Sequence, residues 1–275
     1  MENLFTFHIN IYPIFILLII YIVMSKCNFF FPWTGRKKRY ENEIVFKNIN
    51  LKNITKIVEP FGGSMSFSQY LYMYKDRKDL KYVYNDTDTN IYNFFKLIHE
   101  EGLEKLEELC NVSNKFKATQ KNKKDIGNEI PIQQFFINKA HGIDSKFMKN
   151  DIKKPVNYEE HVKFIESLHR ITNKDYKEIF DKYKYCEDVL IYLDPPYFSS
   201  FNGEYMSQKN EASDLTKILV DIVEMFENAK CHLVYVHNKN ALMDHIFKNS
   251  DCETKEYEKI YQYTRKKVVH SIRIK

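Results

Sequence analysis

Glycine and proline are scarce in this chain, at seven residues each in 275. Each one that remains therefore marks a restricted backbone or a close approach to a ligand. Cysteine is equally sparse. Cys27, Cys110, Cys186, Cys231 and Cys252 form no C-x-x-C pair, and their number is odd. This points to reduced, structural thiols in an intracellular protein and away from a zinc site. The nine histidines show no H-E-x-x-H spacing, so no metal is expected. No sign of charge dominates. Forty-two basic residues face 37 acidic ones, a net charge of +5, which suits a polyanionic partner without requiring one. What is present is a globular composition: 44% hydrophobic and 29% charged residues can build a packed core, and global disorder is not expected. The length fits one domain, or a core with one inserted subdomain.

The start of the chain is a segment apart. Ile11 to Met24 is almost wholly apolar, and counting back to Phe5 approaches the roughly 20 residues that a bilayer span needs, with His8 and Asn10 interrupting. Basic residues follow at Lys26 and Arg36 to Arg39. Three readings stand open for residues 1–24: a membrane anchor through residues 5–24, a hydrophobic helix packed on the protein, or an extension ahead of a start at Met24. Were it an anchor, the positive-inside tendency would leave the remainder on the cytosolic face. The absence of a small-residue cleavage site argues for an intracellular product.

Beyond Met24, β-branched and aromatic runs alternate with helical ones. Strands are expected at Ile54 to Glu59, Lys81 to Asp86, Val189 to Asp194 and Cys231 to His237, each short, largely apolar and bounded by turn residues. Helices are expected over Met65 to Tyr74, Thr89 to Leu109 and Leu215 to Asn228; the last has apolar residues at Ile218, Leu219, Ile222, Val223 and Phe226. This pattern predicts an α/β fold with a mainly parallel sheet covered on both faces. Tyr257 to Tyr263 and Val268 to Ile274 read as a closing hairpin around a basic turn. Residues 110–158 fit the alternation badly. They are polar and Lys-rich, and read as an insert between 25–109 and 159–275.

Three segments carry chemistry. In Glu59-Pro60-Phe61-Gly62-Gly63-Ser64 a strand enters a glycine turn, a geometry that brings backbone N–H groups against a nucleoside cofactor; Glu59, Phe61, Gly62 and Gly63 are assigned to it. Such a turn is also common as plain structure. Next, Asp86 ends the following strand, where an acid about 20 residues on hydrogen-bonds ribose hydroxyls in dinucleotide folds. Asp88 competes for that role, and a helix cap is the structural alternative. The most specific segment is Asp194-Pro195-Pro196-Tyr197 after a buried strand. An aromatic amine is a poor nucleophile because its lone pair is delocalised into the ring. The Asp194 carboxylate and the Pro195 carbonyl can accept both amino hydrogens and favour a pyramidal nitrogen as positive charge develops. The prolines hold the acceptors rigid, and Tyr197 offers a face for an extruded base.

On these motifs the chain resembles the DNA adenine methyltransferase (Dam) family, the α-group of amino-methyltransferases. The order is similar throughout: Phe31-Pro32-Trp33-Thr34-Gly35-Arg36-Lys37, then Glu59 to Ser64, then Asn85-Asp86, an insert, then Asp194 to Tyr197. Arg36 replaces a glycine of the family pattern, and Met65 stands where the last glycine of the second motif is usual. The resemblance implies a Rossmann-like methyltransferase sheet with an inserted target-recognition lobe. It implies that Trp33, Lys37, Asp86 and Asp194 contact S-adenosylmethionine, and that Asp194 to Tyr197 hold a flipped adenine in double-stranded DNA. Asn173 to Tyr176 is similar to the family segment in which an acid, here Asp175, lies near the cofactor's adenine. Tyr235 to Asn238 and Arg265 to Ile272 are similar to late motifs, and Phe135 to Lys139 is family-like within the insert. As the family's DNA-contacting region, the insert would offer Lys115, Lys117, Lys121, Lys123, Lys124, Asn138 and Lys139 to the nucleic acid.

The expected activity is transfer of the methyl group of S-adenosylmethionine to adenine N6 at specific DNA sites. Two other readings remain: an RNA adenine methyltransferase using the same acceptor geometry, and a non-catalytic scaffold homologue that binds nucleic acid.

Overall fold

The computed structural model describes residues 37–119, 158–197, 212–239, 241–260 and 267–275. In chain order the elements are α1 (Arg39–Lys47), β1 (Lys56–Glu59), α2 (Ser66–Tyr74), β2 (Lys81–Asn85), α3 (Thr89–Thr119), α4 (Tyr158–Glu166), β3 (Arg170–Thr172), α5 (Tyr176–Tyr183), β4 (Val189–Leu193), α6 (Ala212–Asn228), β5 (His232–Asn238), α7 (Ala241–Ile246), β6 (Glu253–Ile260) and β7 (Lys267–Ile274).

The seven strands form one sheet in the order β3-β2-β1-β4-β5-β7-β6. The first five are parallel, and β7 runs antiparallel between β5 and β6. This is the mixed sheet of a Rossmann-like methyltransferase, flanked by helices as expected. The chain winds outward from β1 through β2 to β3, then returns to lay β4 on the other side of β1. The carboxyl ends of β1 and β4 therefore flank a topological switch point, where an open α/β sheet leaves a crevice.

Period-two alternation divides the strand residues between two cores. Ile57, Tyr82, Tyr84, Leu190, Tyr192, Val234 and Val236 face a cluster built with Phe67, Leu71, Phe94, Phe95 and Phe164. Val58, Val83, Val189, Ile191, Leu193, Leu233 and Tyr235 face the second, with Ile179, Phe180, Ile222 and Phe226. Both faces of the parallel strands are thus dry, and each buried aliphatic side chain contributes about 1.5–3 kcal/mol. Stacked rings tie helices to strands: Phe67 lies 4.5 Å from Tyr192, and Phe95 lies 4.4 Å from Tyr84.

The expected strands appear with ends shifted by one or two residues, and the closing hairpin is antiparallel as read. Two features differ from the expectation. The short edge strand β3 carries too few apolar residues to stand out. In addition, α3 continues to Thr119, so the first ten residues of the expected irregular insert are helical. The reason is local: Leu, Glu and Lys dominate 103–109, all strong helix formers. Gly102 takes φ 66° and kinks the helix, and a side chain there would meet the Glu166 carboxylate at 2.5 Å. Residues 120–157, like residues 1–36, lie outside the described residues. Among the described residues no helix is long and apolar enough to cross a membrane.

Candidate active site

The turn after β1 is shaped by lack of room. Gly62 donates its N–H to the Asn85 carbonyl at 2.7 Å. A Cβ on Gly62 would lie 2.4 Å from the Tyr84 ring and 2.8 Å from that carbonyl, so only glycine fits. Gly63 donates its N–H to the Asp86 carboxylate at 2.8 Å. Met65 follows at φ 50°, ψ 39°, a left-handed conformation that costs a non-glycine residue about 1–2 kcal/mol. Its side chain is wholly buried in the first core cluster, where it packs with Phe67 and Leu71. The substitution of the family's glycine is therefore absorbed by the core.

Two carboxyl groups stand at the ends of β1 and β2. Glu59 is buried, and its Oε1 accepts from the Ser68 N–H at 2.9 Å and the Ser68 hydroxyl at 2.5 Å. Burial is the main cause that pushes its carboxyl up to about 8, and the nearby Asp194 adds to it. Asp86 is raised to about 6, again chiefly by burial, against hydrogen bonds from the Asp88 and Gly63 N–H groups. Asp88 itself receives the Asn90 N–H at the start of α3, the capping role.

Asn85 locks the strand ends together. Its amide donates to the Pro60 and Lys174 carbonyls, each at 2.9 Å, and accepts from the Thr172 hydroxyl at 2.8 Å and the Lys174 N–H at 2.9 Å. All four of its hydrogen-bonding positions are used. Asn173 donates to the Asp86 carbonyl at 2.6 Å, and Asp175 caps α5 by accepting the Lys177 N–H. Phe61 packs on Tyr176 with ring centroids 4.8 Å apart. Glu59, Phe61, Gly62, Gly63, Asp86 and Asp175 thus line one continuous rim.

Across the crevice, at the end of β4, Asp194 accepts from the Lys37 ammonium through both oxygens at 2.6 Å. Lys37 is fully buried, and Asp194 is 18% exposed. The Tyr197 hydroxyl donates to Asp194 Oδ1 at 3.1 Å, and the Lys37 ammonium sits 5.0 Å from the Tyr197 ring centroid. Lys37, Asp194 and Tyr197 therefore meet although 157 residues separate the first two.

Residues 33–129 match the family model for D12 class N6 adenine-specific DNA methyltransferase. The segment marks a Dam-like adenine methyltransferase. No curated protein matches the chain. The match covers Lys37, the glycine turn and Asp86, and ends before Asp194. As an adenine-specific DNA methyltransferase the chain is a transferase with DNA as substrate, and methyltransferases of this family generally use S-adenosylmethionine.

The site residues that sequence reasoning singled out divide three ways. Lys37, Glu59, Phe61, Gly62, Gly63, Asp86, Asp175, Asp194, Pro195, Pro196 and Tyr197 stand around one crevice. Lys115 and Lys117 lie on the distal part of α3. Trp33, Lys121, Lys123, Lys124, Asn138 and Lys139 lie outside the described residues. Asn85, Ser66 and Ser68 were not singled out. Asn85 had a signal, because a buried polar residue at a strand end needs several partners. Ser66 accepts the Lys37 N–H at 3.3 Å, a contact with no local sequence trace.

Proposed function

We propose that this adenine methyltransferase binds S-adenosylmethionine in the crevice between β1 and β4 and methylates an adenine flipped out of double-stranded DNA. One observation carries the reading: the Asp194 carboxylate stands at the switch point beside Tyr197, with a rim of cofactor-binding type next to it. The residues present suit the cofactor. Asp86 is an acceptor for ribose hydroxyls, Phe61 is an apolar surface for a purine, and Glu59 and the glycine turn form a close-fitting floor. Trp33 and Lys37 complete this set by family resemblance. When bound, the cofactor supplies an electrophilic methyl group.

The chain's own residues then act on the amine. Asp194 and the Pro195 carbonyl accept its two hydrogens, which draws the lone pair toward the incoming carbon. Pro195 and Pro196 keep those acceptors from moving, so little reorganisation is needed. Tyr197 provides a stacking face for the base. Lys37 holds the carboxylate in place and competes for its lone pairs, so the Lys37–Asp194 contact must loosen as the amine arrives. The Lys-rich insert, residues 110–158, contacts DNA phosphates. With DNA as its substrate, the enzyme works inside the cell, on the cytosolic face should residues 5–24 anchor it.

The test is methyl transfer from labelled S-adenosylmethionine to unmethylated duplex DNA, with nucleoside analysis of the product. N6-methyladenine is the expected product. Transfer to RNA alone, or cofactor binding with no transfer to either polymer, would overturn the reading. A variant beginning at Met24 shows in the same assay whether residues 1–23 are needed.

A further inference from the structure

A second group of buried polar side chains lies behind Tyr197, and the chemistry above makes no use of it. Glu41 on α1 is fully buried, and two arms run from it toward the same ring. In one arm Glu41 Oε2 accepts the Lys38 N–H at 2.8 Å, which closes the first turn of α1. That fixes the backbone next to Lys37, whose ammonium lies against Asp194 and the Tyr197 ring. In the other arm Glu41 Oε1 pairs with the Lys259 ammonium at 2.9 Å and accepts from the Tyr257 hydroxyl at 3.4 Å. Tyr257, on β6, stacks on His270 of β7, with centroids 5.2 Å apart and planes at 27°. His270 in turn meets Tyr197 edge-on, at 5.4 Å and 76°.

We propose that His270 is a positioning residue for the target base, holding the Tyr197 ring through an aromatic contact that Tyr257 and the Glu41–Lys259 pair keep in register. The inference rests on the reading that Tyr197 carries the base. Three physical points support it. A buried ion pair contributes little net stability, because the cost of desolvation offsets the attraction, so Glu41–Lys259 is better explained by what it orients. An edge-to-face ring pair has a preferred angle, so His270 sets a direction as well as a distance. Burial, with Lys37, Lys259 and His237 nearby, lowers the His270 pKa to about 3, so the ring is uncharged and does not repel Lys37 at working pH.

The test uses the full chain with His270→Ala, His270→Phe and Tyr257→Phe. His270→Ala should raise KM for unmethylated plasmid DNA by about three- to tenfold, the scale of one ring contact, and lower kcat. The dissociation constant for S-adenosylmethionine should stay within about twofold. His270→Phe, which keeps a ring of similar size, should restore most of the loss. Tyr257→Phe, which removes only the hydroxyl, should shift KM for DNA in the same direction by less. An unchanged KM for DNA in His270→Ala, or a parallel loss of cofactor affinity that Phe does not restore, would overturn the proposal. Ring NMR signals of labelled Tyr197, assigned with Tyr197→Phe, provide a readout that needs no activity. They should shift in His270→Ala and return in His270→Phe, and an unmoved signal would overturn the contact. Should the wild-type chain transfer no methyl group to DNA, the catalytic reading fails, while the Tyr197 signal still decides whether His270 holds the ring.

Discussion

β1 and β4 lie side by side and end at one crevice, yet they shape their halves of it by opposite means. After β1 the geometry is set by the backbone: Gly62 has no room for a Cβ, and N–H groups face Asn85 and Asp86. After β4 it is set by side chains, with a buried ammonium gripping Asp194 and Tyr197 closing over both. The difference follows from the task. A cofactor that is always the same can be met by a rigid backbone, whereas an extruded base needs acceptors that exchange partners as it enters.

The sharpest way to break this comparison is at Asp194. Asp194→Ala should cut methyl transfer by about 100-fold or more, as expected when a group aimed at developing charge is removed. It should also destabilise the fold by about 3–5 kcal/mol, because Lys37 stays buried without its anion. Adding Lys37→Met should recover most of the stability in thermal denaturation and none of the transfer. Recovery of both would show that the side-chain half does not act on the amine.

The backbone half is tested by Gly62→Ala. Steric overlap with Tyr84 and Asn85 should cost about 1–3 kcal/mol. Because the turn must shift, calorimetric titration should show S-adenosylmethionine affinity weakened by about tenfold or more. Retained affinity would mean that the turn is only structural.

Glu59 sharpens the same half through pH. Its folded carboxyl is raised from 4.5 to about 8, so the folded state holds a proton that the unfolded state releases above about 4.5. Its contribution is greatest below 4.5, and stability falls as pH rises from 4.5 to about 8, by on the order of a few kcal/mol. Glu59→Gln should flatten that slope in urea unfolding at stepped pH. Asp86 predicts an opposite trend in binding. Raised to about 6, it loses its acceptor character below that value, so cofactor affinity should drop as pH falls through 6. Asp86→Asn should remove the trend and bind about tenfold more weakly at pH 8.

The smallest effect on binding is expected at Met65. Met65→Gly relieves about 1–2 kcal/mol of left-handed strain. It also empties a buried site worth about 2–5 kcal/mol, so net stability should fall modestly. Cofactor affinity should stay within about threefold, because the side chain points into the core. A large change in affinity would place Met65 in the crevice.

The primary sequence alone determined the parts of this protein that depend on neighbours along the chain. Period-two apolar runs revealed β1, β2, β4 and β5, and the glycine and proline turns after β1 and β4 stood out in a chain poor in both residues. The acids Glu59, Asp86 and Asp194 were legible because each ends a strand. Less was legible where the signal is short or nonlocal. β3 is three residues long, and α3 runs past its kink because helix formers outweigh one glycine. Only the tertiary structure decided which partners each site residue meets. Lys37 reaches Asp194, Asn85 ties β1 to β3, and Glu41 joins α1 to the hairpin of β6 and β7, across separations of up to 216 residues. Such contacts leave no periodicity, because sheet order and the position of the switch point bring them together. The Glu41–Lys259 pair is the clearest case: two charged residues that any hydropathy pattern places at the surface are buried behind the site, since each finds in the other the partner that burial demands.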